Sequence, residues 1–246
     1  MDKEGPKPKP TSEPRVDDKI ERVEQRTIPR VMSVAEACEC ALHHEGIAIV
    51  ENLGVPAAVR ETLHAKITAE PVEPMEEEFQ RGTRFYYGFE PEDTVEVLNY
   101  ILTGDSQPFS EPYDAVNMQY NVYAPGARFG RHTDMGGYMF GTEPPESLTF
   151  IYVTNGQKQL RVWLEGQDPD TNPGIELTQT PDMLIVLRGG GFVVDDILYP
   201  AIMHEVPELI EGESAILTFE IMPKAKAEKY QEDDRVYKEN WHRNNN

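Results

Sequence analysis

The second half of the chain consists of short β-rich runs, and this feature constrains the fold more than any other. From residue 117 onward, the runs combine β-branched and aromatic residues, and turn-forming sequences such as APG, TNG and RGGG separate them. In chain order the runs are MQYNVYA, SLTFIYV, KQLRVWLEG, IELTQT, DMLIVL, AIMHEV and AILTFEIM. Seven or eight strands at such close spacing predict a mainly β fold, an antiparallel sandwich or barrel.

Helical patterns precede this region. Ser33 is followed three residues later by Glu36, which is the spacing of a capping box, and the pattern predicts a helix that runs to about His44. The segment IAIV after it predicts a strand. Pro56 and Pro91 are expected near the starts of two further helices, because proline suits the first turn of a helix. We expect these helices to pack on the outer face of the β structure.

The 246 residues are predicted to form one domain with two tails. Residues 1–30 are rich in Lys, Glu, Asp and Pro, so ordering them would cost more conformational entropy than burial returns. We therefore expect a disordered tail that is dispensable for activity. Residues 31–223 are predicted to be a single domain with N-terminal helices. Residues 224–246 are predicted to be a charged helix or tail.

Charge and composition narrow the possible partners. The formal net charge is -21, so anionic surfaces would be repelled, and we expect neither nucleic acid nor membrane as a partner. No apolar run of the sequence approaches the length of a membrane span. The two cysteines, Cys38 and Cys40, are predicted to be free thiols. These features favour a cytoplasmic protein that acts on a small molecule.

The segment GRHTDMGG contains the best candidate for a metal site. His132 and Asp134 lie just beyond a predicted strand and turn, and His204 in AIMHEV can add a second imidazole from a distant strand. Two imidazoles and a carboxylate on one face of an iron ion leave positions open for oxygen and a co-substrate. Zinc binds the same ligand types. A second interpretation makes His132 a turn residue and His204 a hydrogen-bonded core histidine.

The residues around this pair resemble a known family. The segment YNVYAPGARFGRHTD is similar to the Asn-x-Tyr-x-x-Gly sequence that precedes His-x-Asp in the Fe(II)/2-oxoglutarate-dependent dioxygenases. SLTFIYV, PDMLIVLRGG, MHEV and AILTFEI then follow in the family's order. The resemblance implies a double-stranded β-helix, which is a jelly-roll, cupin-like fold. It also implies that His132, Asp134 and His204 bind Fe(II), and that Asn121 and Tyr123 lie near 2-oxoglutarate.

The resemblance covers residues 117–222 and implies an activity. The enzyme would couple 2-oxoglutarate decarboxylation and O₂ activation to the hydroxylation, desaturation or cyclisation of a small metabolite. We expect an anionic or amino-acid-like substrate, because arginines concentrate positive potential in this otherwise acidic half of the chain. The candidate substrate-binding residues are two arginines and two aromatic residues of the segments expected to cover the entrance: Arg131, Arg188, Tyr87 and Tyr138.

One departure from the family pattern concerns the co-substrate. The family usually has an arginine ten residues after the second histidine, where it forms a bidentate ion pair with the distal carboxylate of 2-oxoglutarate. This chain has Ser214 at that position, and a serine cannot neutralise a carboxylate in a dry pocket. Arg161 is the preferred replacement, because its Arg-x-Trp spacing resembles the Lys-x-Trp of jumonji-type members and Trp163 favours the interior. Tyr123 is expected to support Arg161 with its hydroxyl, and Arg188 is the second candidate.

Three alternatives stay open at this point. Arg161 can instead be a strand residue that faces solvent. The protein can be a non-haem iron oxidase that needs no 2-oxoglutarate, with Ser214 marking a site for another acid or for none. It can also be a cupin-like binding protein without catalytic activity.

Overall fold

The computed structural model describes residues 27–87, 91–102, 109, 112–134, 147–190, 192–194 and 197–232. The helices in this part of the chain are α1 (Val34–His43), α2 (Ala57–Ile67), α3 (Pro91–Ile101) and α4 (224–232), with a 3-10 helix at Glu78–Gln80. The strands are β1 (Arg30–Val31), β2 (Ile47–Val50), β3 (Thr83–Tyr86), β4 (Tyr113–Tyr123), β5 (Phe129–His132), β6 (Leu148–Asn155), β7 (Lys158–Trp163), β8 (Ile175–Gln179), β9 (Leu184–Arg188), β10 (Phe192–Val194), β11 (Ile197–Tyr199), β12 (Met203–Val206) and β13 (Ser214–Pro223).

Two β-sheets face each other and form the body of the protein. The major sheet has the strand order β1-β2-β9-β6-β13-β4-β3, and the minor sheet has the order β5-β12-β7-β8. From β4 to β13 the chain passes repeatedly between the two sheets, and neighbouring strands of this region are antiparallel. This arrangement is a double-stranded β-helix, so the predicted fold class is confirmed.

Side-chain alternation along the strands creates two apolar layers. In β9, Leu184 and Val186 pack in the layer shared with the helices, whereas Ile185 and Leu187 pack in the layer between the sheets. The residues of β9 that precede Arg188 are apolar and buried, so this part of the strand is apolar on both faces. The inner layer, between the sheets, is the one that contains the functional site.

Helix α1 begins where the capping box predicts. The Ser33 hydroxyl accepts a hydrogen bond from the backbone N–H of Glu36 at 3.2 Å, and the Glu36 carboxylate accepts one from the N–H of Ser33 at 3.1 Å. The other two predicted helix starts are also found, since α2 begins directly after Pro56 and α3 begins at Pro91. The buried face of α1 covers the outer side of the major sheet.

The fold begins a few residues before the predicted boundary of the N-terminal tail. Strand β1 pairs in parallel with β2, the carbonyl of Pro29 accepts a hydrogen bond from the N–H of Ile49, and Ile28 packs on the inner layer. Backbone pairing with a buried strand holds these residues in place despite their polar neighbours. The remainder of the predicted tail, residues 1–26, lies outside the described residues.

The C-terminal segment begins as a helix. Ala227 of α4 packs against Val116 of β4 and Met222 of β13. Residues 233–246 lie outside the described part of the chain. Among the helices that the structure describes, none has both the length and the apolar character needed to cross a membrane.

Candidate active site

Two neighbouring strands of the minor sheet carry the candidate metal ligands. His132 ends β5, His204 lies in β12, and the two residues pair directly across the antiparallel ladder. Asp134 follows β5 by two residues, and its Oδ1 lies 3.5 Å from Nε2 of His132 and 3.3 Å from Nε2 of His204. The ligand atoms all lie within 4.8 Å of one another. The structure thus brings together the three residues that the sequence predicts as metal ligands.

Backbone carbonyls fix the orientation of both imidazoles. Nδ1 of His132 lies 2.7 Å from the carbonyl oxygen of Gly130, and Nδ1 of His204 lies 3.1 Å from that of Ile202. Because a carbonyl oxygen only accepts hydrogen bonds, Nδ1 is the donor in each ring and Nε2 is the atom presented toward Asp134. Outer hydrogen bonds of this kind are typical of metal-binding histidines.

The chemistry of Asp134 also fits a divalent cation. Burial raises the pKa of this carboxyl, but the charge on His204 and hydrogen bonds from both histidines outweigh burial and hold the pKa well below its usual range. Its second oxygen, Oδ2, is buried and has no hydrogen-bond partner among the described residues. A buried carboxylate with an unsatisfied oxygen, beside two oriented imidazoles, is a donor set suited to a metal ion.

The three ligands border a cavity that lies between the two sheets. Asn121 and Tyr123 of β4 line this cavity, and so does Ile216 of β13. Strand alternation explains the pattern, since the inward residues of β4 and β13 are every second residue at this level of the sheet. The major sheet therefore forms one wall of the cavity, and the minor sheet with its metal ligands forms the other.

Among the lysines and arginines that the structure describes, Lys158 is the one that lines this cavity. It is the first residue of β7. It is 3% exposed, and its Nζ lies 4.0 Å from the centroid of the Tyr123 ring without a hydrogen-bond partner in the described chain. Burial lowers the pKa of Lys158 from 10.5 to about 7. Its partner across the ladder, Gln179, is fully buried, and neither amide atom has a described partner. This corner of the cavity suits an anion.

Arg161 lies on the opposite face of β7. Its guanidinium donates to Glu205 at 2.6 Å and to Glu176 at 2.5 Å, which are its direct neighbours on β12 and β8, and the residue does not line the cavity. Trp163 shares this outer face, where its indole N–H donates to the carbonyl of Asn172. The tryptophan is thus buried under the β7–β8 connection and does not mark the barrel interior. The structure does not bring Arg161 to the predicted co-substrate site.

Two other candidates for co-substrate binding also lie away from the cavity. Arg188 is fully buried at the end of β9, packs against Gly46 and Ile202, and donates to Glu165 at 3.2 Å. Ser214 donates its hydroxyl hydrogen to the carbonyl of Asn155 at 3.2 Å, within the β6–β13 end of the major sheet. Neither residue lines the cavity.

Two of the predicted substrate-binding residues, Arg131 and Tyr87, lie at the surface. Arg131 donates to Asp170 at 2.7 Å and stacks over Trp163 on the outer face of the minor sheet. Tyr87 is 65% exposed and stacks on Phe85, which packs edge-on against Phe129 of the cavity wall. Tyr138 lies outside the described residues. Among the described members of this set, Tyr87 is the one placed close to the cavity.

Sequence reasoning missed Lys158, although the signal was present. Leu160 and Val162 share one face of the strand by alternation, and the same alternation puts Lys158 on that face. Both aliphatic residues belong to the layer between the sheets. The aliphatic face of β7 is therefore the inward one, and the expectation that Arg161 lies inward beside a buried tryptophan is wrong.

Comparison of the whole fold identifies the class of structure. The sequence matches no protein-family model and none of the curated proteins. The structure is similar to a 2OG-Fe(II) oxygenase family oxidoreductase from Burkholderia pseudomallei, with a TM-score of 0.55 and 12% identity over 80% of this chain and 96% of that chain.

Two further solved structures show the same fold. One is a prolyl-4-hydroxylase from Pseudomonas putida, with a TM-score of 0.50 and 18% identity over 78% of this chain and 99% of that chain. The other is HygX from Streptomyces hygroscopicus, with a TM-score of 0.52 and 10% identity over 73% of this chain and 84% of that chain. The chain therefore has the double-stranded β-helix fold of the 2-oxoglutarate/Fe(II) oxygenases, as the motif resemblance implies.

Proposed function

We propose that this protein is an Fe(II)- and 2-oxoglutarate-dependent oxygenase that acts on a small molecule. One observation carries the proposal: a single cavity is bordered by the His132–Asp134–His204 cluster and also contains the buried ammonium of Lys158. A metal site alone would serve many functions. A metal site that shares a cavity with a buried lysine lacking a described hydrogen-bond partner fits the binding of an acid to both.

The metal would be held by Nε2 of both histidines and by the carboxylate of Asp134. A bound Fe(II) ion supplies the capacity to activate O₂ and oxidise a C–H bond, because three protein ligands leave coordination positions for oxygen and a co-substrate. Zinc fits the same donor types, so the choice of iron rests on the shared fold and on the cavity beside the ligands.

Lys158 is the residue that we assign to the distal carboxylate of 2-oxoglutarate. A buried ammonium without a carboxylate partner is unfavourable, and an entering anion offsets its desolvation. The Gln179 amide is placed beside it to donate a further hydrogen bond. The Tyr123 ring keeps Lys158 in place through its negative face without neutralising the charge. This set replaces the arginine that the family pattern places at position 214.

Two structures with this fold support a small-molecule substrate. The HygX structure contains nickel, 2-oxoglutarate and hygromycin B, and another similar structure is the α-ketoglutarate-dependent epimerase SnoN from nogalamycin biosynthesis. The reaction on the substrate would be hydroxylation, desaturation or cyclisation. The loops around the mouth differ between such enzymes and determine the substrate.

The direct test is 2-oxoglutarate turnover by the iron-loaded protein. Because turnover without substrate is slow, the protein is used at a concentration close to that of 2-oxoglutarate, and succinate and O₂ are measured together. Succinate formation that depends on Fe(II), on O₂ and on His204 supports the proposal. Oxidation that is indifferent to 2-oxoglutarate would instead identify an iron oxidase, and failure to bind any divalent metal would identify a binding protein.

A further inference from the structure

A second buried carboxyl faces the cavity from the major sheet. Glu220 of β13 is 2% exposed and lines the cavity, and its Oε1 accepts a hydrogen bond from the Asn117 amide at 3.2 Å. Its Oε2 is buried without a partner among the described residues. Burial and the negative charge of Asp134 raise the pKa of Glu220 well above its usual value. A carboxyl in this position is unfavourable unless a ligand completes its hydrogen bonding.

A β-bulge holds this carboxyl in place. The pairing of β13 with β4 changes register between Thr218 and Glu220, and Asn117 has a φ of +52°, which non-glycine residues rarely adopt. The extra residue reverses the alternation of β4, so that Val116 packs inward against Met222 while the Asn117 side chain reaches Glu220. The chain thus tolerates backbone strain at the position that orients one oxygen of Glu220 and leaves the other for a ligand.

The wall around Glu220 is rich in hydrogen-bond acceptors. Asn121, Thr149 and Thr218 each place a buried side-chain oxygen on the cavity wall without a partner among the described residues. Thr149 pairs directly with Glu220 across β6 and β13. A carboxyl and several neighbouring oxygen atoms together suit a group that brings several N–H donors.

The balance of charge in the cavity favours a cationic group. Under the proposed function, the two positive charges of the metal and the one on Lys158 are matched by Asp134 and by the two carboxylates of 2-oxoglutarate. Glu220 is then an additional acid without a counter-ion. An anionic substrate would add repulsion at this point, whereas a protonated amine or guanidinium would let Glu220 ionise and form a charge-assisted hydrogen bond.

We propose that Glu220, with Asn121, Thr149 and Thr218, forms a subsite for a protonated nitrogen of the substrate. The substrate class is a small molecule that carries an ammonium or guanidinium group. This inference rests on the proposed function, because it places the substrate in the same cavity as the metal and 2-oxoglutarate. An amino-acid-like substrate agrees with this subsite, because it carries an ammonium group. A substrate with only negative charges does not agree with it.

The test uses full-length protein loaded with Ni(II) and 2-oxoglutarate, which binds without turnover. Propylammonium, 1-propanol and propionate serve as probes of equal length and different charge, and paramagnetic relaxation of their protons by Ni(II) reports binding near the metal. We expect propylammonium to bind at least about tenfold more tightly than the other two. Glu220→Gln is expected to remove this preference, whereas Glu211→Gln, which makes the same change in charge at an exposed position, should retain it.

Each outcome decides between defined alternatives. Wild-type protein that binds Ni(II) and 2-oxoglutarate but shows no preference for propylammonium would overturn the subsite and leave the proposed function standing. A preference that survives Glu220→Gln would assign Glu220 a structural role only. Protein that binds neither Ni(II) nor 2-oxoglutarate would overturn both proposals. The melting temperature of Glu220→Gln, expected to equal or exceed that of wild type, checks that the variant is folded.

Discussion

Lys158 and Tyr123 form a buried cation–π pair, in which the ammonium nitrogen lies 4.0 Å from the centroid of the tyrosine ring. The two residues come from opposite sheets, so the pair bridges the interior of the barrel. A ring face attracts a cation without supplying a full negative charge. The ammonium is therefore fixed in position and still able to pair with a carboxylate that enters the cavity.

Replacing Lys158 tests its assignment to the co-substrate. Lys158→Met should weaken 2-oxoglutarate binding on the order of 100-fold, because loss of one partner of a buried ion pair costs about 3 kcal/mol or more. Calorimetric titration of 2-oxoglutarate into the Ni(II)-loaded protein measures the change. Without 2-oxoglutarate the variant should be at least as stable as wild type, since a buried unpaired cation has been removed.

Arg161→Met provides the matched control on the same strand. Arg161 pairs with Glu176 and Glu205 on the outer face, so its loss should change the 2-oxoglutarate dissociation constant by less than about threefold. If Arg161→Met weakens 2-oxoglutarate binding strongly and Lys158→Met does not, the assignment of the two residues must be exchanged.

Binding of 2-oxoglutarate should depend on pH through Lys158. Because burial lowers the pKa of Lys158 to about 7, the lysine of the empty site is mostly neutral above that pH, while ion pairing requires the ammonium. Binding therefore takes up a proton, and the dissociation constant should rise by up to about tenfold per pH unit above pH 7. Calorimetry in buffers of different ionisation enthalpy counts the protons. No proton uptake in wild type, or equal uptake in Lys158→Met, would contradict this prediction.

The lowered pKa of Lys158 also predicts how the stability of the ligand-free protein changes with pH. Between pH 7 and 10.5 the unfolded chain keeps Lys158 protonated and the folded protein does not, so the unfolded state binds more protons. The contribution of Lys158 to stability therefore rises with pH across this window and is lost as pH falls toward 7. Comparing denaturant midpoints of wild type and Lys158→Met isolates this contribution, because only the wild-type slope contains it.

Metal binding should be lost when one of the two imidazoles is removed. His204→Ala should abolish stoichiometric binding of Fe(II) or Ni(II), since two ligands hold an exchangeable divalent ion poorly. Metal also stabilises the native state by mass action, by about 2.7 kcal/mol at a free concentration of one hundred times the dissociation constant. The metal-induced rise in melting temperature should thus disappear in His204→Ala and persist in His44→Ala, an exposed histidine outside the site. A rise of equal size in both variants would place the metal elsewhere.

Substitutions at two glycines in left-handed conformations test the cost of backbone strain separately from the cost of steric overlap. Gly166 has a φ of +80° with open space around it, whereas Gly156 has a φ of +68° and a Cβ there would overlap the carbonyl of Glu213. Gly166→Ala should cost about 1 kcal/mol, and Gly156→Ala about 3 kcal/mol. Thermal melts should show Gly156→Ala as clearly the less stable variant. Equal melting temperatures would mean that the β6–β7 turn adjusts to accept the methyl group.

Much of the fold could be predicted because local patterns agree with it. Turn sequences separate the runs that become β4 to β13, and the capping box at Ser33 and Glu36 marks the start of α1. The metal cluster was also predictable, since His132 and His204 are the histidines of the β-rich half outside the C-terminal tail and Asp134 follows His132 by two residues. The spacing and the chemistry of residues suffice to predict a site when its function requires particular residue types at particular positions.

The polar residues of the cavity were harder to predict because the strands are buried on both faces. All ten residues of β13 are buried, so neither the pattern nor the composition shows that Glu220 faces inward. The bulge at Asn117 reverses side-chain alternation in β4, and its position is set by pairing with a strand about one hundred residues away. Trp163 does not indicate the inward face of β7, because a loop outside the barrel buries it, so Lys158 could not be placed from this residue.

The central claim is that one cavity binds Fe(II) and 2-oxoglutarate together. The most direct measurement is the visible absorption of anaerobic Fe(II)-loaded protein during titration with 2-oxoglutarate, because chelation of Fe(II) by a 2-oxo acid produces a charge-transfer band. We predict a saturable band in wild type, its displacement to much higher 2-oxoglutarate concentration in Lys158→Met, and its absence in His204→Ala. Protein that binds stoichiometric Fe(II) but shows no spectral change at any 2-oxoglutarate concentration would contradict the claim.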